Sequence, residues 1–459
     1  MGTAGRVGAL TEELQALRSF RQGLYACGIR RGDALFELCD TLCAGHGVAT
    51  SPPPHLSLEP AFRRGWGSAY AALRRGRIAE ESLRDLLAAA RPRDWPAVYA
   101  VDASSWARCD AECSPDRGFY HHPSRHSNGK PIVAGWNYSW IAQLNWEHNS
   151  WTAPMDIRRI HPREDTGTVT ADQVKALLGR LGDDGPVPLF VFDAGYDPIG
   201  LSVDLAEARA QVLVRLRSDR VFYSDPPERE PGAPGRPRLH GKRFACADPA
   251  SRGEADATLV TSDPRYGRVE VQAWSGLHPK LAGRGRWAGE RHPPIVTGTV
   301  IRVQVEHLPK AMNASGSVKT LWLWWSGPGS PDLDVCWRAY IHRFDIEHTL
   351  RFAKHTLGWT TPRIRLPEQA DRWTFLVVAA YNQLRLARRS VADHRLPWEP
   401  PRDPARLTPT RVRRGFRQLV QVIGTPASPP KPSKAGPGRP KGSTRGPAPR
   451  HPAIKKAAA

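Results

Sequence analysis

The chain has 459 residues, of which 40% are apolar, so it can bury a large core and is expected to contain about two to four domains. Lysine and arginine outnumber aspartate and glutamate by 66 to 45, a formal net charge of +21, which argues against a typical metabolic enzyme and indicates a polyanionic partner. A membrane surface is the alternative partner, but no apolar run spans a bilayer and no signal peptide is recognisable. We therefore expect a soluble, cytoplasmic protein with no membrane partner.

The first segment, residues 1–94, is predicted to be a helical domain. Leucine and phenylalanine recur with a helical period over residues 10–24 and again over 35–42, and another helix is expected to begin near Ala79. Arginines are interspersed among these helices. The domain is therefore a candidate for contact with DNA phosphates, although solvated arginines explain the pattern equally well.

From residue 95 the pattern changes to short apolar runs that alternate with helical segments. The predicted strands lie at residues 97–101, 140–146, 152–160, 189–192 and 211–216, and the helices near 170–181 and 199–210. This order predicts an α/β domain, with a mixed sheet covered by helices, over residues 95–220.

The segment 221–329 is rich in proline, glycine and arginine but keeps strand-like runs, so it is predicted to be a β-rich insertion. Residues 330–395 return to a helical pattern and are assigned to the second part of the α/β core. Within them, the apolar helix Trp373–Arg388 is too short for a membrane span and is expected to be buried. A linker with a basic helix follows over residues 396–425.

The tail, residues 426–459, contains almost no large apolar side chain and is predicted to be disordered. Within it Pro437–Gly442 resembles the core of an AT-hook, in which Arg439 would enter a narrow A·T minor groove. A generic basic tail explains this sequence equally well.

The cysteines are scattered and odd in number, seven in all, which does not match a disulfide-stabilised secreted domain. Cys109 and Cys113 precede a group of histidines that could complete a zinc site. The histidines are His121, His122 and His126. Their spacing does not match common zinc-finger patterns, so we prefer reduced, packed thiols in a polar loop.

A second polar segment, residues 120–138, is dense in groups that bind phosphate or stack on bases. We predict a loop that contacts DNA. A polar loop closed by a core histidine is an equally good interpretation.

The most informative stretch is Tyr340–Lys354, which is compatible with one helix. Its polar side chains fall within an arc of about 80° on such a helix. They are Tyr340, Arg343, Glu347, Arg351 and Lys354. One carboxylate among cations is the arrangement expected where a metal ion and a polyanion meet, and an ordinary charged helix face is the alternative.

Two aspartates stand at the ends of predicted strands. Asp102 follows the strand at 97–101, and Asp193 follows the strand at 189–192, where a helix cap is its alternative role. Carboxylates in such positions are unfavourable unless they are paired or bind a cation. With Glu347 they would provide oxygen ligands for two divalent cations, which can activate an attacking oxygen and stabilise the leaving oxygen of a phosphodiester.

Four of these residues stand at a fixed spacing, with two, three and six residues between them. They are Tyr340, Arg343, Glu347 and Lys354. This pattern resembles the Y-R-E-K signature of the insertion-sequence-four superfamily of bacterial DDE transposases, and the flanks of Asp102 and Asp193 are similar to those of that family's two aspartates. The resemblance covers roughly residues 95–395 and implies a ribonuclease-H-like fold with a β-rich insertion.

The resemblance also implies residue roles. Asp102, Asp193 and Glu347 would be the catalytic triad that binds two Mg²⁺ ions, with Mn²⁺ as a substitute. Tyr340, Arg343 and Lys354, together with the nearby Arg351, would hold the DNA end. One tryptophan of the insertion would stack on a flipped base, and the candidates are Trp274, Trp287, Trp322, Trp324 and Trp325.

The implied reaction is hydrolytic nicking that frees a 3′-hydroxyl, followed by attack of that hydroxyl on target DNA. The implied partner is double-stranded DNA, both transposon ends and target, bound by a nucleoid-associated homodimer. Two other functions stay open: a stand-alone ribonuclease-H-like nuclease, and a domesticated, non-catalytic DNA-binding protein derived from a transposase. The Y-R-E-K spacing disfavours the first, and the intact acidic residues disfavour the second.

Overall fold

The computed structural model describes residues 3–45, 53–126, 130–147, 149–229, 237–281, 283, 285–291, 293–308, 320–432, 438, 440–442 and 446–455. Arg439 of the AT-hook-like motif lies outside these residues. The chain divides into two compact units. The first takes its residues from Met1–Trp95, Ala103–Glu164 and Asp345–Lys456, and the second from Pro96–Asp102 and Asp165–Phe344.

The helices are α1 (Thr3–Ala26), α2 (Gly32–Ala44), α3 (Pro53–Leu56), α4 (Trp66–Arg75), α5 (Glu80–Ala89), α6 (Thr166–Leu181), α7 (Pro198–Asp204), α8 (Leu333–His342), α9 (Phe344–His355), α10 (Pro367–Ala387) and α11 (Pro409–Ile423). The strands are β1 (Gly28–Arg30), β2 (Arg77–Ile78), β3 (Val98–Ala107), β4 (Gly118–His126), β5 (Lys130–Gln143), β6 (Ala153–Ile160), β7 (Leu189–Phe192), β8 (Gln211–Leu216), β9 (Val221–Tyr223), β10 (Arg243–Ala245), β11 (Ala257–Asp263), β12 (Gly267–Leu277), β13 (Gly298–Val305) and β14 (Thr320–Ser326).

In the first unit, α10 is buried along almost its whole length. Gln383 Nε2 donates a hydrogen bond to Cys39 Sγ of α2 at 3.2 Å, and Asn382 Nδ2 donates to the carbonyl of Pro154 in β6 at 3.0 Å. Protein therefore surrounds a helix that is apolar on most sides. Within the described ranges, no helix is both long enough and apolar enough to cross a membrane. The prediction of a buried helix is confirmed.

The described part of residues 120–138, expected to be a loop, forms strands β4 and β5. β5 pairs antiparallel with β4 and with β6. Its aromatic side chains at alternate positions, Trp136, Tyr138 and Trp140, are all buried, and the last two pack on Trp359 with ring centroids 5.7 and 5.0 Å apart. The loop prediction was wrong because it considered only the polar residues. The alternating aromatic residues stabilise a strand by burying one of its faces.

The C-terminal tail, expected to be disordered, is in contact with the first unit over its last described residues. The Ile454 N–H donates to the Arg117 carbonyl at 2.7 Å, and the His451 N–H donates to the Glu112 carbonyl at 2.8 Å. The Arg117 guanidinium donates to the His451 carbonyl at 2.6 Å, and Ile454 forms a parallel bridge with Gly118 of β4. Composition misses such a contact because backbone hydrogen bonds do not require apolar side chains.

The second unit is built on a mixed sheet with the strand order β11-β12-β13-β14-β8-β7-β3. β7 pairs in parallel with β3 on one side and with β8 on the other. The pairs from β8 through β14, β13 and β12 to β11 are all antiparallel. The mixed α/β class is confirmed, and β7 and β8 have the predicted ends. The strands of the predicted insertion, β11 to β14, continue this sheet from β8 and do not form a separate one.

One face of β12 to β14 carries the apolar core of the second unit, which β9 and β10 help to cover. Phe222 of β9 stacks on Trp324 with ring centroids 5.4 Å apart. Four of the five tryptophans considered for base stacking are buried, which is the environment of a packing residue. They are Trp274, Trp322, Trp324 and Trp325.

Candidate active site

Asp102 and Asp193 lie on adjacent parallel strands of the second unit. Asp193 directly follows the end of β7, whereas Asp102 lies inside β3, which continues to Ala107. The prediction that Asp102 ends its strand was therefore wrong, because the strand extends beyond its apolar run. β3 and β7 pair in parallel, with Ala100 opposite Val191. Continued by two residues, the same register aligns Asp102 with Asp193, and neighbouring strands are only about 4.8 Å apart. The strand pairing therefore brings two of the three predicted carboxylates together.

The turn after β7 holds the Asp193 carboxylate. The Gly195 N–H donates to Asp193 Oδ1 at 2.9 Å, and Tyr196 is buried against Phe192, with ring centroids 5.1 Å apart. α7 is capped by Asp197, whose carboxylate accepts a hydrogen bond from the Ile199 N–H at 3.1 Å. The alternative that Asp193 caps this helix is therefore wrong, and its carboxylate closes the turn after β7.

The stretch Tyr340–Lys354 is not one helix with a single polar face. α8 ends at His342 and α9 begins at Phe344, and the turn residue between them, Arg343, keeps right-handed helical dihedral angles. Tyr340 and Arg343 are buried, with exposed fractions of 3% and 4%. The expectation of one exposed stripe was wrong because these two side chains pack against neighbours and do not face solvent.

Aromatic rings surround the Arg343 guanidinium in the second unit. Its Cζ lies 5.7 Å from the ring centroid of Tyr340 and 5.1 Å from that of Phe344. Such cation–π contacts stabilise a desolvated guanidinium. Burial raises the pKa of the Tyr340 phenol, and the positive charges of Arg215 and Arg343 oppose that rise.

Sequence reasoning missed Arg215, because this residue was assigned only to the predicted strand at 211–216. Its effect on Tyr340 depends on the packing of α8, which the strand's own sequence does not reveal. The one feature of the sequence that could have indicated its role was the presence of Arg215 as a single charged residue in the otherwise apolar run of β8.

α9 belongs to the first unit and carries Glu347 and Arg351 on its exposed side, one turn apart. Its buried side is anchored by Thr349, whose hydroxyl lies 2.8 Å from the Thr152 hydroxyl and 3.2 Å from that of Tyr381. This anchored helix therefore presents a carboxylate and a cation to solvent.

Lys354, half-buried on the same helix, has its Nζ 5.6 Å from the ring centroid of Trp359. The aromatic ring and the aliphatic stem restrict where the ammonium can lie. Lys354 is therefore a positioned cation and not a freely moving surface lysine.

The donor chemistry of the aspartates fits a hard divalent cation, because carboxylate oxygens are the ligands that Mg²⁺ and Mn²⁺ prefer. In the portion of the chain that the structure describes, no three His, Cys, Asp or Glu side chains form a group that could hold a metal ion. All seven cysteines have free thiols, including Cys109 and Cys113. Asp102 and Asp193 are two carboxylates of the second unit with the donor chemistry that such an ion requires.

The family model for the DDE superfamily endonucleases matches residues 23–280, more than half of the chain. The chain therefore belongs to the DDE superfamily endonucleases. The matched segment contains Asp102 and Asp193 and ends before Glu347. No curated protein matches the chain. Membership implies nuclease or transposase chemistry on DNA, which such domains generally carry out with divalent metal ions.

Proposed function

We propose that this protein is a DNA transposase of the insertion-sequence-four type, which cuts DNA at the ends of its element and joins the freed 3′-hydroxyl to target DNA. The observation that carries the proposal is the alignment of Asp102 in β3 with Asp193 directly after β7 in a DDE superfamily endonuclease. The Y-R-E-K spacing supports the narrower assignment.

In this proposal Asp102, Asp193 and Glu347 hold two divalent ions, Mg²⁺ or Mn²⁺. When bound, such ions neutralise charge at the phosphate that is cut and lower the pKa of an attacking oxygen. Asp193 is kept in position by its hydrogen bond from the Gly195 N–H. Glu347 stands on a helix that is anchored through Thr349.

The proposed DNA contacts differ in exposure. Arg351 is exposed and Lys354 is half-buried, so we assign the phosphate contacts first to these two residues. Tyr340 and Arg343 are buried, and we propose that they support DNA binding by holding the end of α8 in position. We further propose that the protein acts as a homodimer on double-stranded DNA, associated with the bacterial nucleoid, that the N-terminal helices add phosphate contacts, and that Arg439 enters a narrow A·T minor groove.

The experiment uses the purified full chain and labelled duplexes that carry the DNA flanking its gene, with Mg²⁺ or Mn²⁺. We expect the wild type to cleave these ends and to join them to a plasmid. Asp193→Asn and Asp102→Asn should reduce cleavage at least about a hundredfold while leaving DNA binding intact.

Asp184→Asn is the matched control, because Asp184 is an exposed aspartate of the same unit that lies outside the strand ends. It should cleave like the wild type. Equal cleavage by Asp193→Asn would rule out the assigned role. Cleavage without joining would favour the stand-alone nuclease, and binding without cleavage would favour the domesticated DNA-binding protein.

A further inference from the structure

The second unit contains a polar cavity of about 420 Å³ against the outer strands of its sheet. Residues 249–255 form one wall, and side chains of β11, β12 and β13 form the other. The cavity contains two arginines, Arg252 and Arg302, and its apolar side is Trp274. Glu254 also lines it and is exposed.

The strand register explains why Arg302 lies beside an apolar core. Arg302 of β13 is opposite Gln272 of β12 on one side and opposite Trp322 of β14 on the other. Residues directly opposite one another in antiparallel strands share a face of the sheet. The core therefore ends at Trp322, and the next position on the same face is a cation.

Arg252 approaches this face from the covering segment. Its Cζ lies 4.8 Å from the ring centroid of Trp322, and its Nη2 donates to the Cys246 carbonyl at 2.6 Å. Arg302 Nη2 donates to Gln304 Oε1 at 2.6 Å. These bonds use only part of the donor capacity of two guanidiniums, and each Nε is without a hydrogen-bond partner among the described residues.

Three carboxylates lie near the two arginines: Glu254 in the cavity lining, Asp248, whose charge raises the pKa of Arg252, and Glu270. The nearest carboxylate of Arg302 is Glu270, 3.8 Å from Nη2, and Glu270 also lies 3.7 Å from Arg268. Arg252 forms no ion pair within 4.0 Å in the described part of the chain. Burial lowers the pKa of Arg252, and the positive charge of Arg302 lowers it further.

Two like charges that line one cavity repel each other, and an anion bound between them would reduce this repulsion. A guanidinium offers parallel N–H donors that match the oxygens of a phosphate, and a cavity of about 420 Å³ has room for a phosphate with its sugar. We propose that this cavity binds a phosphate of the DNA backbone through Arg252 and Arg302. The inference rests on the proposed function in taking DNA as the substrate.

The test measures DNA affinity at several salt concentrations for Arg252→Gln and Arg302→Gln, each in full-length protein that also carries Asp193→Asn, so that no cleavage is required. The probe is a fluorescent duplex of the DNA flanking the gene. Each variant should bind about tenfold more weakly. The slope of log affinity against log salt should become shallower by about one for each lost phosphate contact.

Arg268→Gln is the matched control, because Arg268 is an exposed arginine of β12 that does not line the cavity. It removes the same charge and should have a much smaller effect on affinity. Removing one of two repelling charges should leave the Tm of the glutamine variants unchanged or raised. If a glutamine variant does not fold, Arg302→Lys keeps the charge without the paired donors and should still weaken binding.

A second arm separates DNA phosphate from a free anion. Inorganic phosphate should raise the Tm of the wild type but not that of Arg252→Gln or Arg302→Gln. Phosphate protection without any change in DNA affinity, or equal affinities for Arg302→Gln and Arg268→Gln, would overturn the assignment to DNA. Loss of binding to an acidic peptide, with DNA binding unchanged, would also overturn it.

The same experiments distinguish this proposal from the transposase proposal. If the wild type does not cleave DNA but the affinity differences persist, the transposase proposal fails and the phosphate site stands.

Discussion

His278 is fully buried in the second unit, with its Nε2 3.0 Å from Nδ1 of His240 and its Nδ1 3.6 Å from Oδ1 of Asp225. Burial lowers the pKa of His278, the charge of His240 lowers it further, and Asp225 opposes both. The unfolded chain therefore takes up a proton at this histidine more readily than the folded protein does as the pH falls through 6.5. We predict that the free energy of unfolding is highest above about pH 6.5 and falls as the pH is lowered below it.

Urea unfolding at a series of pH values measures this effect. His278→Gln should flatten the pH dependence, since the glutamine does not titrate. His355→Gln, at an exposed position of α9, should keep it. An unchanged pH dependence in His278→Gln would show that another group is responsible.

Single residues also show how far the sequence predicts the candidate site. Asp102 and Asp193 were found because a carboxylate after an apolar run is visible in the sequence itself. The burial of Tyr340 and Arg343 was missed, because a helical projection assigns polar side chains to one face but does not reveal which face is covered. Whether Glu347 joins the aspartates stays a prediction.

At the scale of single elements, β5 offers a sharp test of packing. Gly135 lies against the backbone of β3, and an added Cβ would clash with the Trp106 carbonyl oxygen. A backbone carbonyl cannot move aside as a flexible side chain can. We therefore predict that Gly135→Ala lowers the free energy of unfolding by about 1–3 kcal/mol.

Gly179→Ala is the corresponding control in α6, where an added Cβ meets nothing within 4 Å. Because alanine is the better helix former, this variant should raise the free energy of unfolding by about 0.5–1 kcal/mol. Chemical denaturation of the two variants measures both values. Similar stabilities for the two proteins would show that β5 has room to shift.

The elements themselves were predicted to different degrees. β7 and β8 have the predicted ends, since short apolar runs are local signals of buried strands. The strand predicted at residues 140–146 overlaps only the end of β5, and β4 and the first part of β5 were missed. The pairing of these strands compensates for polar residues that locally resemble a loop. The four outer strands were found, but their continuity with β8 depends on pairing between distant residues.

At the scale of the whole molecule, the contact between the C-terminal residues and β4 should contribute to stability. Deleting residues 446–459 removes the hydrogen bonds of His451 and Ile454 with the segment around Arg117. We predict a loss of about 1–3 kcal/mol, seen as a Tm lower by several degrees. Deleting only residues 456–459 spares these bonds and should leave Tm unchanged, and equal Tm values for both deletions would contradict the prediction.

The amino-acid sequence by itself determined the α/β class, most strands of the second unit and the two aspartates that follow apolar runs, because period and apolar runs are local properties of the chain. The domain boundaries drawn from composition stay a prediction. Only the tertiary structure decided that Asp102 is aligned with Asp193, that Arg343 is buried among aromatic rings and that the tail lies along β4. Each of these depends on strand register or burial between residues far apart in sequence, which no local pattern specifies.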